Sequence, residues 1–137
     1  MIEARLFFDT ALFILIWLVQ LIIYPSFLYY SKDSFLTWHK RYTKSLTFIV
    51  APLLAGQGIT VAYQFFTALS WYSFLSSLLI TAVIGYTFVH FIPLHTELEV
   101  NYSSKTIKKL IRNNWYRTVL WTSVVVLDVL YLVNNKY

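Results

Sequence analysis

Four stretches of this chain are each long and apolar enough to cross a lipid bilayer. A helix crossing a hydrocarbon layer of about 30 Å needs roughly 20 mostly apolar residues. The stretches cover about 6–30, 43–69, 70–94 and 115–133 of the 137 residues, and the second helix is expected to begin earlier, near Ser34. Composition points the same way: 58% of the residues are hydrophobic and 12% charged, against about 45–50% and about 25% in a soluble domain. So few charges, most of them clustered, cannot cover a small soluble protein. The expected fold is therefore all-α: an integral membrane, up-down-up-down four-helix bundle forming one domain over 1–137.

The first span carries Glu3 and Asp9, a long apolar region and no small-residue cleavage site near Tyr24-Pro25. It reads as a mature helix and not as a removable signal peptide. Only the first and fourth spans approach an uninterrupted apolar run. The second holds Gly56-Gln57-Gly58 and the third Ser76-Ser77, which suggests protein-facing sides. The connection around Ala68-Leu69-Ser70-Trp71 is short enough for a tight hairpin. The last connection, from Thr96 to Asn114, is the long one. Within it Ser103-Ser104-Lys105-Thr106, followed by Ile107, Leu110 and Ile111, reads as a cap and an amphipathic lead-in to the fourth helix.

Lysine and arginine set the orientation. Lys32, Lys40, Arg41 and Lys44 flank the first connection, and Lys105, Lys108, Lys109, Arg112 and Arg117 flank the third. Arg5 and Lys136 are the only ones near the termini. Both termini are expected outside and both basic connections in the cytoplasm. The net charge of +5 then anchors the chain against anionic membrane lipid. The same charges flank spans and form no separate domain, which argues against nucleic-acid binding. The absence of cysteine excludes disulfides, thiolate catalysis and thiolate metal sites.

Polar groups inside a bilayer are costly, so each is a candidate site. Gln20 and Tyr24 lie four apart near the end of the first span, just before Pro25, and His39 and Tyr42 lie three apart at the start of the second. His90, Pro93, His95 and Glu97 close the third span. Asn114, Arg117, Thr118 and Trp121 follow the spacing of a single face at the start of the fourth. In an up-down bundle all four groups share the cytoplasmic end. They are expected to converge on a pocket between the helices, with His39, His95, Arg117 and Asn114 as its reactive groups and Gln20, Tyr24, Tyr42 and Trp121 lining it. The opposite half reads as comparatively bland, with Asp9, Asp128 and Gln64 as its main polar members.

Other residues have plainer readings. Tyr29, Tyr30, Trp38, Trp71, Tyr72 and Tyr116 fit interfacial anchors, and Lys40, Arg41, Lys44, Lys108 and Lys109 fit topology determinants. Gln57 and Gln64, seven apart, fit hydrogen bonds between helices, with glycines letting the backbones approach. Arg117 faces inward by its register with Asn114 and Trp121. His90 and His95 lie about 140° apart on a helix and share a face only if Pro93 re-aims the turn.

Glycine-rich phosphate loops, serine elbows and paired-histidine zinc motifs are all missing. His39, His95 and Glu97 would make a two-histidine, one-carboxylate set for a single iron or zinc ion, and haem between the two histidines is a further alternative. Without metal, histidine can take a proton near neutral pH and arginine or asparagine can steady a developing oxyanion. A lipophilic small molecule entering from the membrane, deprotonated at a phenol or enol and then oxygenated, fits those parts.

The runs Trp17-Leu18-Val19-Gln20 to Tyr24-Pro25, then His39 and Pro52, then Ile92-Pro93-Leu94-His95-Thr96-Glu97-Leu98, then Asn114-Trp115-Tyr116-Arg117-Thr118 resemble a family of small bacterial four-helix membrane proteins of mostly unassigned role. That family is distantly similar to the anthrone-oxygenase-like family. The resemblance covers nearly the whole chain and implies an oxygenase acting on polycyclic phenolics without an obvious cofactor, with His95, Asn114 and Arg117 as carried-over positions. It also implies the bacterial inner membrane. Two positions depart from the pattern: Ile23 stands where relatives carry histidine, and Gln57 where they carry an acid. A non-catalytic subunit or lipid-binding scaffold is the alternative reading, and proton-coupled transport a third. Broad apolar faces would suit a homo-oligomer.

Overall fold

The computed structural model describes residues 1–135, and among them it contains helices and no strand. Four long helices account for nearly all of these residues: α1 Ile2–Tyr29, α2 Lys32–Thr67, α3 Trp71–Val100 and α4 Ser104–Asn134. Each is long and apolar enough to cross a membrane. The lead-in to the fourth span is continuous with α4, and Ser103 caps it by accepting a hydrogen bond from the Thr106 backbone N–H. Ser70 caps α3 in the same way, through a reciprocal pair with Ser73.

Two of the helices are locally unwound. A π-helical turn occupies Val19–Ile23 of α1, and another occupies Thr87–Phe91 of α3. Each lies just before a proline, Pro25 and Pro93 respectively. Proline has no N–H to give, and its ring collides with the carbonyl four residues back. Widening the preceding turn relieves both problems. One extra residue also turns the rest of the helix by about 100° relative to an unbroken one. That rotation sets which side chains of α1 and α3 point inward.

The pairing of α1 with α2 runs in opposite order along the two helices: Arg5 meets Gln64, Asp9 meets Gln57, and Phe27 meets Phe35 and Tyr42. Gly56 makes the approach possible, since a Cβ there would collide with the Phe8 ring. A central apolar layer of Leu12, Ile16, Val83 and Trp121 separates two groups of buried polar residues. A larger cluster at one end holds Phe27, Phe35, Phe91, Leu94, Leu98, Ile107 and Leu110.

The interior holds charged and polar groups beside its apolar core, and many large apolar side chains face outward. Arg5, Asp9, His39, Gln57 and Asn114 are fully buried, while Phe48 is 84% exposed, Phe66 82%, Ile59 69% and Val89 67%. Burying charge is costly and exposing a broad apolar surface to water is costly too. Both become reasonable when the outside is hydrocarbon.

Candidate functional site

The site is built where the π-turned segments of α1 and α3 meet the start of α2 and the early part of α4. Tyr24, just after the first π turn, is buried, and its hydroxyl lies 3.0 Å from Nε2 of His95. His95 Nδ1 lies 3.0 Å from Nε2 of His39, which is itself fully buried. The two imidazoles stack with centroids 5.2 Å apart. His39 also stacks on Phe35, and Phe27 meets it edge-on. Three helices thus contribute one continuous hydrogen-bonded chain, Tyr24–His95–His39.

Two orders of donation satisfy that chain. In one, the tyrosine O–H donates to His95 Nε2, His95 Nδ1–H donates to His39 Nε2, and His39 Nδ1 carries a proton. In the other every bond reverses and His39 Nδ1 presents a lone pair. Passing from the first to the second shifts a proton across each bond, with one proton entering at the tyrosine and one leaving from His39 Nδ1. Either way Nδ1 of His39 is buried and without a partner.

The fourth helix supplies the second half of the site. Asn114 Nδ2 donates to Gln20 Oε1 at 2.9 Å, and Arg117 Nη1 donates to Asn114 Oδ1 at 3.3 Å. Gln20 Nε2 donates in turn to the Ile111 carbonyl at 3.3 Å. The Arg117 guanidinium lies 4.3 Å from the Phe91 ring centroid and 5.4 Å from that of Trp121, a cation–π arrangement that keeps a charge inside an apolar wall. Arg117, Tyr24 and Trp121 line one narrow cavity together with Leu12, Leu15, Ile16, Val19, Leu46 and Val50. Its volume of about 30 Å³ is room for about one water-sized molecule.

All eight of the residues expected in the pocket lie in this region. His39, His95 and Tyr24 are in direct contact, and Gln20, Asn114 and Arg117 form a second connected set. Trp121 lines the cavity, and Tyr42 packs beside His39 with ring centroids 6.3 Å apart. Four polar atoms here are buried without a partner: His39 Nδ1, Tyr42 Oη, Arg117 Nε and Trp121 Nε1. Unpaired buried polar atoms are uncommon in folded proteins; of these four residues Arg117 and Trp121 line the cavity, while His39 and Tyr42 lie outside its wall.

The metal set does not assemble. Glu97 is exposed, and its Oε1 accepts from the Thr106 hydroxyl at 2.6 Å, across the 101–103 connection. Both nitrogens of His95 are already engaged, and the 3.0 Å between the two histidine nitrogens leaves no place for a haem iron between them. Among the described residues no group of three His, Asp or Glu side chains could hold a metal. His90 points away from the chain and packs on Tyr86 at 4.4 Å between centroids, so Pro93 and its π turn do not bring it onto the face of His95.

The opposite half of the protein is not bland. Arg5 Nε donates to Asp9 Oδ2 at 3.1 Å and Arg5 Nη1 donates to Gln64 Oε1 at 2.6 Å. Gln57 Nε2 donates to Asp9 Oδ1 at 2.6 Å, and Tyr72 donates its hydroxyl to Asp128 Oδ1 at 2.6 Å. The expected hydrogen bonds of Gln57 and Gln64 between helices are present. Tyr72 is not an interfacial anchor: it is 1% exposed, stacks on Tyr131 at 4.1 Å and lies under the Arg5 guanidinium at 4.4 Å. Arg5, counted from sequence only as a terminal charge, is the centre of this half. The available signal was an arginine and an aspartate four apart in α1, facing a lone aspartate inside the apolar run of α4.

Comparison of the chain with protein-family models, with curated proteins and with solved structures gives no match in any of the three.

Proposed function

We propose that this chain is a multi-pass membrane protein, its four helices crossing the bilayer in up-down-up-down order, and that its Tyr24–His95–His39 site moves a proton for an oxidoreductase of the oxygenase class acting on a lipophilic small molecule. The observation that carries the reading is the buried three-residue chain, which ends at one side in a cavity shared with Arg117. The buried charged groups and the outward-facing apolar side chains support the membrane placement. The basic connections face the cytoplasm by the positive-inside rule, and both termini lie outside.

In this reading the substrate approaches between α1 and α2, where Leu15, Leu46 and Val50 wall the cavity. At about 30 Å³ the closed site does not admit a polycyclic ring, so those side chains must part to let it in. A phenolic or benzylic proton passes to the chain through Tyr24 and His95, with His39 as the terminal acceptor. Arg117 steadies the oxyanion that remains. The anion reacts with dioxygen, and a ring CH2 becomes C=O with release of one water. Dioxygen uptake by the purified protein in lipid nanodiscs, supplied with a tricyclic phenolic bearing such a CH2, tests this reaction. Turnover above that of empty nanodiscs is expected, and its absence overturns the oxygenase class.

A lipid-binding scaffold is the second reading. An apolar groove of about 470 Å³ runs between Trp17, Trp115, Leu75, Leu78 and Val126, and it favours this alternative because an alkyl chain would fit there without any chemistry.

The cysteine-free sequence makes the topology directly measurable. Single cysteines at Ser70 and Ser104, treated with a membrane-impermeant thiol reagent on intact cells, are expected to differ: Ser70→Cys reacts and Ser104→Cys reacts only after the membrane is opened. Equal labelling of both sites would refute the up-down arrangement.

A further inference from the structure

We propose that Arg5, Asp9 and Asp128 form a second, separate site, whose ligand is a single exchangeable proton carried by Asp128. The charges are the first observation. Arg5 is 0% exposed, Asp9 0% and Asp128 1%, so the cluster holds one cation and two carboxyl groups away from water. The facing groups on all four helices are Arg5 and Asp9 from α1, Gln57 and Gln64 from α2, Tyr72 from α3, and Asp128 and Tyr131 from α4. None of them supplies a second positive charge. An uncompensated ion in such a setting is far more costly than a neutral acid.

The hydrogen bonds say where the proton sits. Both oxygens of Asp9 accept from donors, Oδ2 from Arg5 and Oδ1 from Gln57, which is the pattern of an ionised carboxylate. Asp128 is different. Its Oδ1 accepts from Tyr72, its Oδ2 has no partner, and Arg5 Nη2 stands 3.9 Å from Oδ1 and is itself without a hydrogen bond. Gln57 Oε1 is the third unpartnered buried atom of the cluster. With the site at Tyr24–His95–His39, these account for every buried unpartnered side-chain atom among the described residues.

Asp128 therefore carries the proton on Oδ2. When the proton leaves, the guanidinium already beside it closes on the carboxylate and Nη2 gains the partner it lacks. The site has two states separated by one proton and a short movement of Arg5. It lies about 10 Å along the helix axis from the start of α1, taking seven residues from Ile2 to Asp9. Half-buried Gln64 and Tyr131 stand between it and the end of the helices. The inference needs only the burial of the cluster and is independent of the reaction proposed for the other site.

Infrared spectroscopy of the whole protein in nanodiscs reads this proton directly, through the C=O stretch of a protonated carboxyl group. The chain has six carboxyl side chains, and the other four, Glu3, Asp33, Glu97 and Glu99, are not buried. One protonated carboxyl per chain is expected at neutral pH, shifting on transfer to D2O. Asp128→Asn and Asp9→Asn are both expected to abolish the band, because either one leaves a single carboxylate matched to Arg5. A native spectrum without the band overturns the site. So does a band that survives both substitutions, or one that never shifts in D2O, which marks a sealed structural proton. The native spectrum alone can refute the proposal even if a variant fails to fold.

Discussion

Replacing Arg5 by glutamine will cost the folded protein about 3–5 kcal/mol, the usual consequence of removing one partner from a buried ion pair. The side chain is 0% exposed and bonds to Asp9 and Gln64 through two of its nitrogens, while its third lies near Asp128. Glutamine keeps some of the volume and can reach one of these groups. It leaves two carboxyl groups in an apolar interior without a cation. Both must then be neutralised by protons, or the helices must separate enough to admit water. Unfolding in detergent, followed by the loss of helical circular dichroism on heating or with added denaturant, measures the change. Adding Asp9→Asn and Asp128→Asn to Arg5→Gln should recover most of the loss, since the cluster becomes neutral while keeping amide hydrogen bonds. A triple variant as unstable as the single one would show that packing against Tyr72, and not charge, is what Arg5 supplies.

The largest expected effect on activity comes from His95→Ala. His95 is the middle of the chain and the only member that touches both others, Tyr24 through Nε2 and His39 through Nδ1. Its removal breaks the proton path and leaves His39 remote from the cavity. Loss of a positioned acid–base group lowers turnover by about 10²–10⁴-fold. Tyr24→Phe removes only the outer hydroxyl and is expected to cost less, with the substrate reaching His95 directly. His90→Ala, on a residue that packs on Tyr86 away from the chain, should leave turnover unchanged. Dioxygen uptake in nanodiscs separates the three. If His90→Ala and His95→Ala lower it equally, the hydrogen-bonded chain is not the proton path.

The two sites share one construction. Each gathers polar side chains from all four helices, and each leaves unpartnered buried atoms that an ordinary structural network would have satisfied. Between them lies the apolar cluster of Leu12, Ile16, Val83 and Trp121. A point change in one is therefore expected to leave the other intact, as for distant sites with no shared partners.

The four helices could be read from the sequence because the free energy of an apolar stretch accumulates along the chain, residue by residue, and needs no knowledge of the neighbours. The same holds for the cap at Ser103 and for the two sets of basic residues, which are local in sequence. The gathering of Gln20, Tyr24, His39, Tyr42, His95, Asn114, Arg117 and Trp121 at one end also came from spacing alone. Which atoms meet did not. The π turns at Val19–Ile23 and Thr87–Phe91 add a residue to each helix and rotate the segment beyond it, which residue spacing alone does not reveal. In the regular helix beyond the second turn His95 and Glu97 are two residues and about 200° apart, so His95 turns in toward Tyr24 and His39 while Glu97 turns out to Thr106.

Of the Arg5 cluster only the Arg5–Asp9 pair, four apart, lay within the reach of spacing, and the rest did not for a different reason. A tyrosine near a helix end is usually an interfacial anchor, an arginine near a terminus is usually a topology charge, and Asp128 carries no partner within its own helix. Only when four helices pack does Tyr72 come under Arg5, with Asp128 within 3.9 Å of it and Asp9 alongside. Length and hydrophobicity are properties of one segment, and so the chain itself determined the helices and their polar ends. Pairing in a low-dielectric interior is a property of several segments at once, and so tertiary structure decided which charges are matched and which buried polar atoms are left without a partner.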